Sequence, residues 1–147
     1  MLITENRWRD LVPGVSTEAQ ALSSLGTPED RAENIRYGAL EALTLLDFAR
    51  ATSVYVREGQ VLLIVVAPTT ANSLEGKLEA WKAALAQAPV RILDSRAGKN
   101  GRLFLYATQG LALHEVDGQV EAVEIFPSMS VDTYIKHLYV QPTPFTK

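Results

Sequence analysis

The apolar residues of this chain follow two rhythms. Between residues 34 and 67 the period is two. The stretches NIRYGAL (34–40), LTLLDFA (43–49), TSVYVRE (52–58) and QVLLIVVA (60–67) are rich in β-branched and aromatic residues, which suit a pleated, half-buried surface. Within 52–58, Thr52, Val54 and Val56 fall on one side, and Ser53, Tyr55 and Arg57 on the other. The stretch 60–67 is apolar on both sides, which predicts a central strand covered on both faces. Glu58-Gly59 supplies the tight hairpin between these two strands, glycine being free to take positive φ. A second set follows: VRILDS (90–95), LFLYA (103–107), GLALHEV (110–116) and QVEAVEIF (119–126), with Asp117-Gly118 as the hairpin.

The other rhythm is helical. Thr17 and Gln20 have capping-box spacing, Leu22 and Leu25 share a face, and Gly26 and Pro28 close the segment. Residues 27–30 read as one more helical turn. The strongest helix runs from Ser73 to Pro89, with Leu74, Leu78, Trp81 and Leu85 on one stripe. A third begins at Ser130, carries Val131, Tyr134, Ile135 and Leu138, and stops at Pro142; PTPFTK (142–147) is a tail. The order helix–strands–helix–strands–helix predicts an α+β fold. Its expected form is an antiparallel sheet, whole or as two continuous half-sheets, with the helices on one face.

Two stretches match each other. VYVREGQVLLIVVAP (54–68) and LHEVDGQVEAVEIFP (113–127) share Gly-Gln-Val and proline: Gly59, Gln60, Val61 and Pro68 recur as Gly118, Gln119, Val120 and Pro127. A tyrosine-bearing strand precedes each (Tyr37, Tyr106), and a serine-initiated helix follows each proline. This predicts one domain, 1–147, made of two similar units, about 1–70 and 71–147.

Composition narrows the function classes. Hydrophobic residues are 47% and charged residues 21% of the 147, a globular balance. The net charge of −3 comes from 14 basic and 17 acidic residues without a basic stripe, so nucleic acid is not an expected partner. The chain has no cysteine, which removes disulfides, thiolate metal sites and thiol nucleophiles. The longest apolar run, 61–68, is too short to span a bilayer, so no integral membrane segment is expected. MLITENRWRD lacks an export-signal pattern. The expected compartment is cytoplasmic if Met1 is the native start, or the envelope or exterior if a signal has been removed.

The motifs PGVSTEAQALSSLGTP (13–28), NIRYG (34–38) and VYVREGQVLLIV (54–65), followed by YATQGLALHEVDGQVEAVEIFP (106–127), resemble the BamE-like (SmpA/OmlA) envelope proteins. Through them the chain resembles the β-lactamase inhibitor protein, a tandem of such units. The resemblance implies a small α+β module of the envelope or exterior that binds another protein and is not an enzyme. It departs where Ala86-Gln87-Ala88-Pro89 replaces Leu-Gly-x-Pro, and where 43–49 adds a strand. Without a lipobox cysteine, membrane anchoring does not carry over.

No catalytic motif contradicts that expectation. His114 and His137 lack metal-ligand spacing and read as structural histidines. The acid pairs Glu115/Asp117 and Glu121/Glu124 read as solvated charges on exposed strand positions. No serine sits in G-x-S-x-G, and GKNGR (98–102) lacks phosphate-loop spacing. No metal, cofactor or enzymatic activity is expected. Trp81 reads as core. Tyr55, Phe104 and Tyr106, if they share the solvent face of the sheet, make a recognition patch together with Tyr37, Arg57 and His114. The expected function is thus protein binding through the open sheet face. The alternative is a cytoplasmic acidic homodimer resembling the type III secretion chaperones.

Overall fold

The computed structural model describes residues 1–142. Most of the tail, residues 143–147, lies outside the described residues. The elements in chain order are α1 (Glu18–Leu25), β1 (Asp30–Tyr37), β2 (Leu40–Phe48), β3 (Thr52–Arg57), β4 (Gln60–Val66), α2 (Leu78–Leu85), β5 (Arg91–Asp94), β6 (Arg102–Tyr106), a short 3₁₀ turn (Ala107–Gln109), β7 (Leu111–Val116), β8 (Gln119–Ile125) and α3 (Val131–His137). The fold is α+β, with one eight-stranded antiparallel sheet in the order β1-β2-β3-β4-β8-β7-β6-β5.

Local chemistry accounts for the element ends. Thr17 and Gln20 form the capping box, with Gln20 N–H donating to Thr17 Oγ1 at 3.2 Å and Thr17 N–H to Gln20 Oε1 at 2.9 Å. Residues 27–30 do not form the expected helical turn; β1 begins at Asp30, because Glu29 N–H already bonds Asp47 O at 2.7 Å. Ser73 does not cap α2. Glu75 accepts from the Gly76 and Lys77 amides, both at 3.0 Å, and holds the approach extended until Leu78.

The two halves of the sheet are built alike. Thr17 bridges Gln60, and Lys77 bridges Gln119. Glu18 N–H donates to Gly59 O at 2.8 Å, and Leu78 N–H to Gly118 O at 3.0 Å. Each helix start is therefore pinned to a hairpin turn. Both hairpins carry a register shift at the same place, after Tyr55 and after His114. At the centre, Ile64 faces Ile125 and Val66 faces Val123. The helices that correspond are α1 and α2, each of which precedes its strands; α2 and α3, which follow Pro68 and Pro127, do not correspond to each other.

The reason lies in the packing. Ala21 of α1 and Leu78, Trp81 and Leu85 of α2 pack with Val54, Val56, Ile64, Phe104, Tyr106, Val123 and Ile125. Tyr134 of α3 and Leu138 pack with Leu43, Leu63, Leu105, Ala112 and Phe126 on the other face. The helices are thus not all on one face as expected: α1 and α2 share one, and α3 lies across the opposite one. Period-two alternation in β4 feeds both layers, so the central strand is covered on both sides.

Candidate functional site

The α3 face is concave, and side chains from opposite edges of the sheet meet over its middle. Tyr37 ends β1, one edge; Arg96 follows β5, the other edge. The Arg96 guanidinium carbon lies 5.1 Å from the centroid of the Tyr37 ring. The end of α3 and the segment after it tie the same edges together. Ala39 N–H donates to His137 O at 2.9 Å, and the Tyr139 hydroxyl to Asp94 O at 2.7 Å. Gly38 is required at this crossing. Its φ is +59°, and a Cβ there would meet His137 O at 2.6 Å.

Beneath this closure lies a buried carboxylate. Glu124 of β8 is 1% exposed. The Tyr37 hydroxyl donates to its Oε2 at 2.5 Å, His114 Nε2 lies 2.8 Å from the same oxygen, and the Tyr134 hydroxyl donates to Oε1. Four elements converge on one side chain: β1, β7, β8 and α3. Burial pushes the Glu124 carboxyl up, but the His114 charge and the three hydrogen bonds outweigh it and hold the group below its ordinary value. Burial, followed by the neighbouring Glu124 charge, pushes both the Tyr37 and the Tyr134 hydroxyls well above theirs. Both tyrosines stay protonated and serve as donors.

The chain of polar groups continues outward. His114 Nδ1 lies 2.6 Å from Ser95 Oγ, and Ala97 N–H donates to the same Oγ at 3.0 Å. With a carboxylate on Glu124, Nε2 carries hydrogen, and Nδ1 either accepts from Ser95 or, in the imidazolium, donates to it. Hydroxyl, imidazole and carboxylate stand in the order of a nucleophile, base and orienting acid. Ser95 is nevertheless 2% exposed, and its oxygen is engaged by Ala97. These bonds fasten the segment after β5 to the middle of the sheet.

Two clefts flank the Tyr37–Arg96 contact. One, about 290 Å³, is lined by Tyr37, Val65, Arg96, His114, Glu121 and Ala122. The other, about 380 Å³, is lined by Arg36, Tyr37, Tyr55, Arg96 and Tyr139 among others. Among the described residues, no three His, Asp or Glu side chains are grouped to hold a metal ion. No helix among them is long and apolar enough to cross a membrane.

The residues expected in a recognition patch separate. Phe104 and Tyr106 are 3% and 2% exposed and lie under α2, on the face away from Tyr55. They belong to the core and not to a surface. Their strand pairing shows why: Phe104 faces Leu113 and Tyr106 faces Leu111, both on the α1/α2 side. Tyr37 and His114 are on the concave face but buried in the Glu124 network. Tyr55 is half-buried there, 4.9 Å from Tyr37 between ring centroids, and Arg57 is exposed with its guanidinium on Glu41 O at 3.3 Å. Glu124 and Glu115, expected on the surface, are buried; Glu115 is held by Arg102 at 2.7 Å. Sequence reasoning missed Glu124, Tyr134, Ser95 and Arg96 as one constellation. The available signal was an acidic residue on the strand whose partner in the duplicated pattern, Val65, is apolar.

No family model matches the sequence, and no curated protein matches it. Among solved structures, the chain is similar to a DUF4309 family protein, YjgB, from Bacillus subtilis subsp. subtilis str. 168. The TM-score is 0.55 at 15% identity, over 81% of this chain and 83% of that one. That likeness extends to the fold alone.

Proposed function

We propose that the protein is a non-catalytic binding module that engages another protein through its concave face, around Tyr55 and Arg96. The observation that carries this reading is the Glu124 network. Four elements hold the floor of the face in one arrangement, so the surface above it is preorganised and binding loses little to ordering. Tyr55 adds a half-buried aromatic surface and Arg96 a guanidinium, the residue types that dominate interface energetics. The burial of Ser95, 2% exposed, supports binding over hydrolysis.

The matched halves support a duplication of one helix-plus-four-strand unit, with boundaries near residues 17–66 and 76–125. The same features support the likeness to the tandem BamE-like and inhibitor-like modules. A photo-reactive p-benzoylphenylalanine at position 55, compared with one at Ile92 on the other side of the sheet, tests the binding reading. A cross-linked protein is expected from position 55 alone; equal products from both positions, or none, overturn it.

Self-association is the second reading. Val90 and Ile92, 51% and 49% exposed, lie at β5, an edge strand of the sheet, and an edge strand can pair with another chain. Light scattering during size-exclusion chromatography tests it; a monomer mass at all concentrations rules it out.

A further inference from the structure

We propose that Arg96 and Tyr55 together form a carboxylate-recognition point, so that the partner docks through an aspartate or glutamate side chain. This rests on the binding reading above and names the chemistry of the contact. The Arg96 guanidinium lies against the Tyr37 ring at 5.1 Å and hydrogen-bonds the same side chain, which positions the planar group and leaves its other N–H donors for a ligand. No carboxylate lies within ion-pair distance of Arg96 among the described residues, whereas Arg31, Arg36 and Arg102 each hold one, at 2.7, 2.6 and 2.7 Å. The Tyr55 hydroxyl makes no hydrogen bond among the described residues, although burial and nearby charges, Arg96 included, act on it.

Both groups line the same cleft, and Tyr37 joins them: its ring is 4.9 Å from that of Tyr55. Tyr37 cannot serve as a third donor, because its hydroxyl hydrogen is committed to Glu124. A stacked guanidinium beside an uncommitted hydroxyl suits a carboxylate, which accepts two parallel N–H bonds and one O–H bond. An amide of the same shape accepts fewer and presents its own donors to the arginine. Glu121 stands on the wall of the neighbouring cleft. It repels a carboxylate that enters by that cleft, while Asp47 and Glu124 add negative charge near Tyr55 that Arg96 must outweigh.

The test uses the whole protein and two small probes, N-acetylglutamate N-methylamide and N-acetylglutamine N-methylamide. The readout is the Arg96 Nε–Hε signal in a ¹H–¹⁵N correlation spectrum. The expected result is a saturable shift with the glutamate probe, about tenfold larger than with the glutamine probe. Arg96→Gln abolishes the companion shifts at Gly38 and Val140, which line the Tyr55 cleft. Tyr55→Phe weakens binding roughly threefold, the loss of one modest hydrogen bond. Glu121→Gln strengthens it. Equal shifts from the two probes overturn the proposal, as does an equal response to sodium chloride at the same ionic strength, which marks an ordinary surface cation. The probe comparison in the unaltered protein decides the matter even if a variant does not fold. A cross-linked partner at position 55 without carboxylate selectivity leaves the binding reading standing and removes only this inference.

Discussion

Tyr37 and Glu124 are 87 positions apart in the chain, yet the Tyr37 hydroxyl donates to Glu124 Oε2 at 2.5 Å. The contact links an edge strand to a central one, which requires the sheet to curl over its own concave face. That curl makes the network and the clefts above it parts of one construction.

Removing the charge at the centre tests that construction. Glu124→Gln is expected to destabilise the fold by about 2–4 kcal/mol, because the amide cannot accept from His114, Tyr37 and Tyr134 together and leaves buried donors unmet. Tyr134→Phe is expected to cost less, about 1–2 kcal/mol, since two donors to the carboxylate remain. Urea denaturation of the three proteins measures both differences. Equal stability of wild type and Glu124→Gln would show that the buried charge contributes nothing.

Stability is expected to fall toward both ends of the pH scale. The native Glu124 value lies below the ordinary 4.5. The unfolded chain therefore takes up this proton first as acid is added. The Glu124 contribution is complete above 4.5 and lost as pH falls through the native value. Tyr37 and Tyr134 lie well above 10 in the folded protein. The unfolded chain releases those protons first, so their contribution is complete below 10 and lost as pH rises beyond it. Melting temperature against pH checks both limbs. Glu124→Gln flattens the acid limb, and the double change Tyr37→Phe, Tyr134→Phe flattens the alkaline one.

Trp81 anchors the opposite face. It is fully buried among the α1/α2 core residues, and its Nε1–H donates to Glu75 O at 2.8 Å. Trp81→Ala is expected to cost about 3–5 kcal/mol through the cavity it leaves. Phe104→Ala is expected to fall in the same range. Tyr55→Ala, from a half-buried position, is expected to cost about 1–2 kcal/mol. A Phe104 variant as stable as wild type in guanidinium melts would return that residue to the surface.

Two glycines separate conformational strain from crowding. Gly118 has φ +81°, and a Cβ there would meet nothing within 4 Å, so Gly118→Ala is expected to cost only the left-handed strain, about 1–2 kcal/mol. Gly110 has φ +69°, and a Cβ there would meet Phe126 O at 2.2 Å. Gly110→Ala is expected to cost roughly 4 kcal/mol or more, since a backbone oxygen cannot step aside cheaply. Thermal melts of the two variants rank them directly.

By itself, the sequence determined the element types, the two hairpin turns and the α+β class. These rest on local physics: the period of the apolar residues, the Thr17–Gln20 cap, the positive φ that Gly59 and Gly118 accept, and the two-sided apolar run of β4. It also marked Trp81 as core, because one helical stripe is enough to place a residue inside. Which face each strand side chain occupies was only half determined. Alternation says that Phe104 and Tyr106 share a face and that Tyr55 opposes Val54, but not which face α1 and α2 cover. Tertiary packing decided that, and it sent Phe104 and Tyr106 inside. The tertiary structure also decided the site. Glu124 reads as a solvated acid until the curl of the sheet brings Tyr37, His114 and Tyr134 to it from three other elements. A carboxylate can be buried only where donors converge, and no local pattern records a convergence of residues up to 87 positions apart.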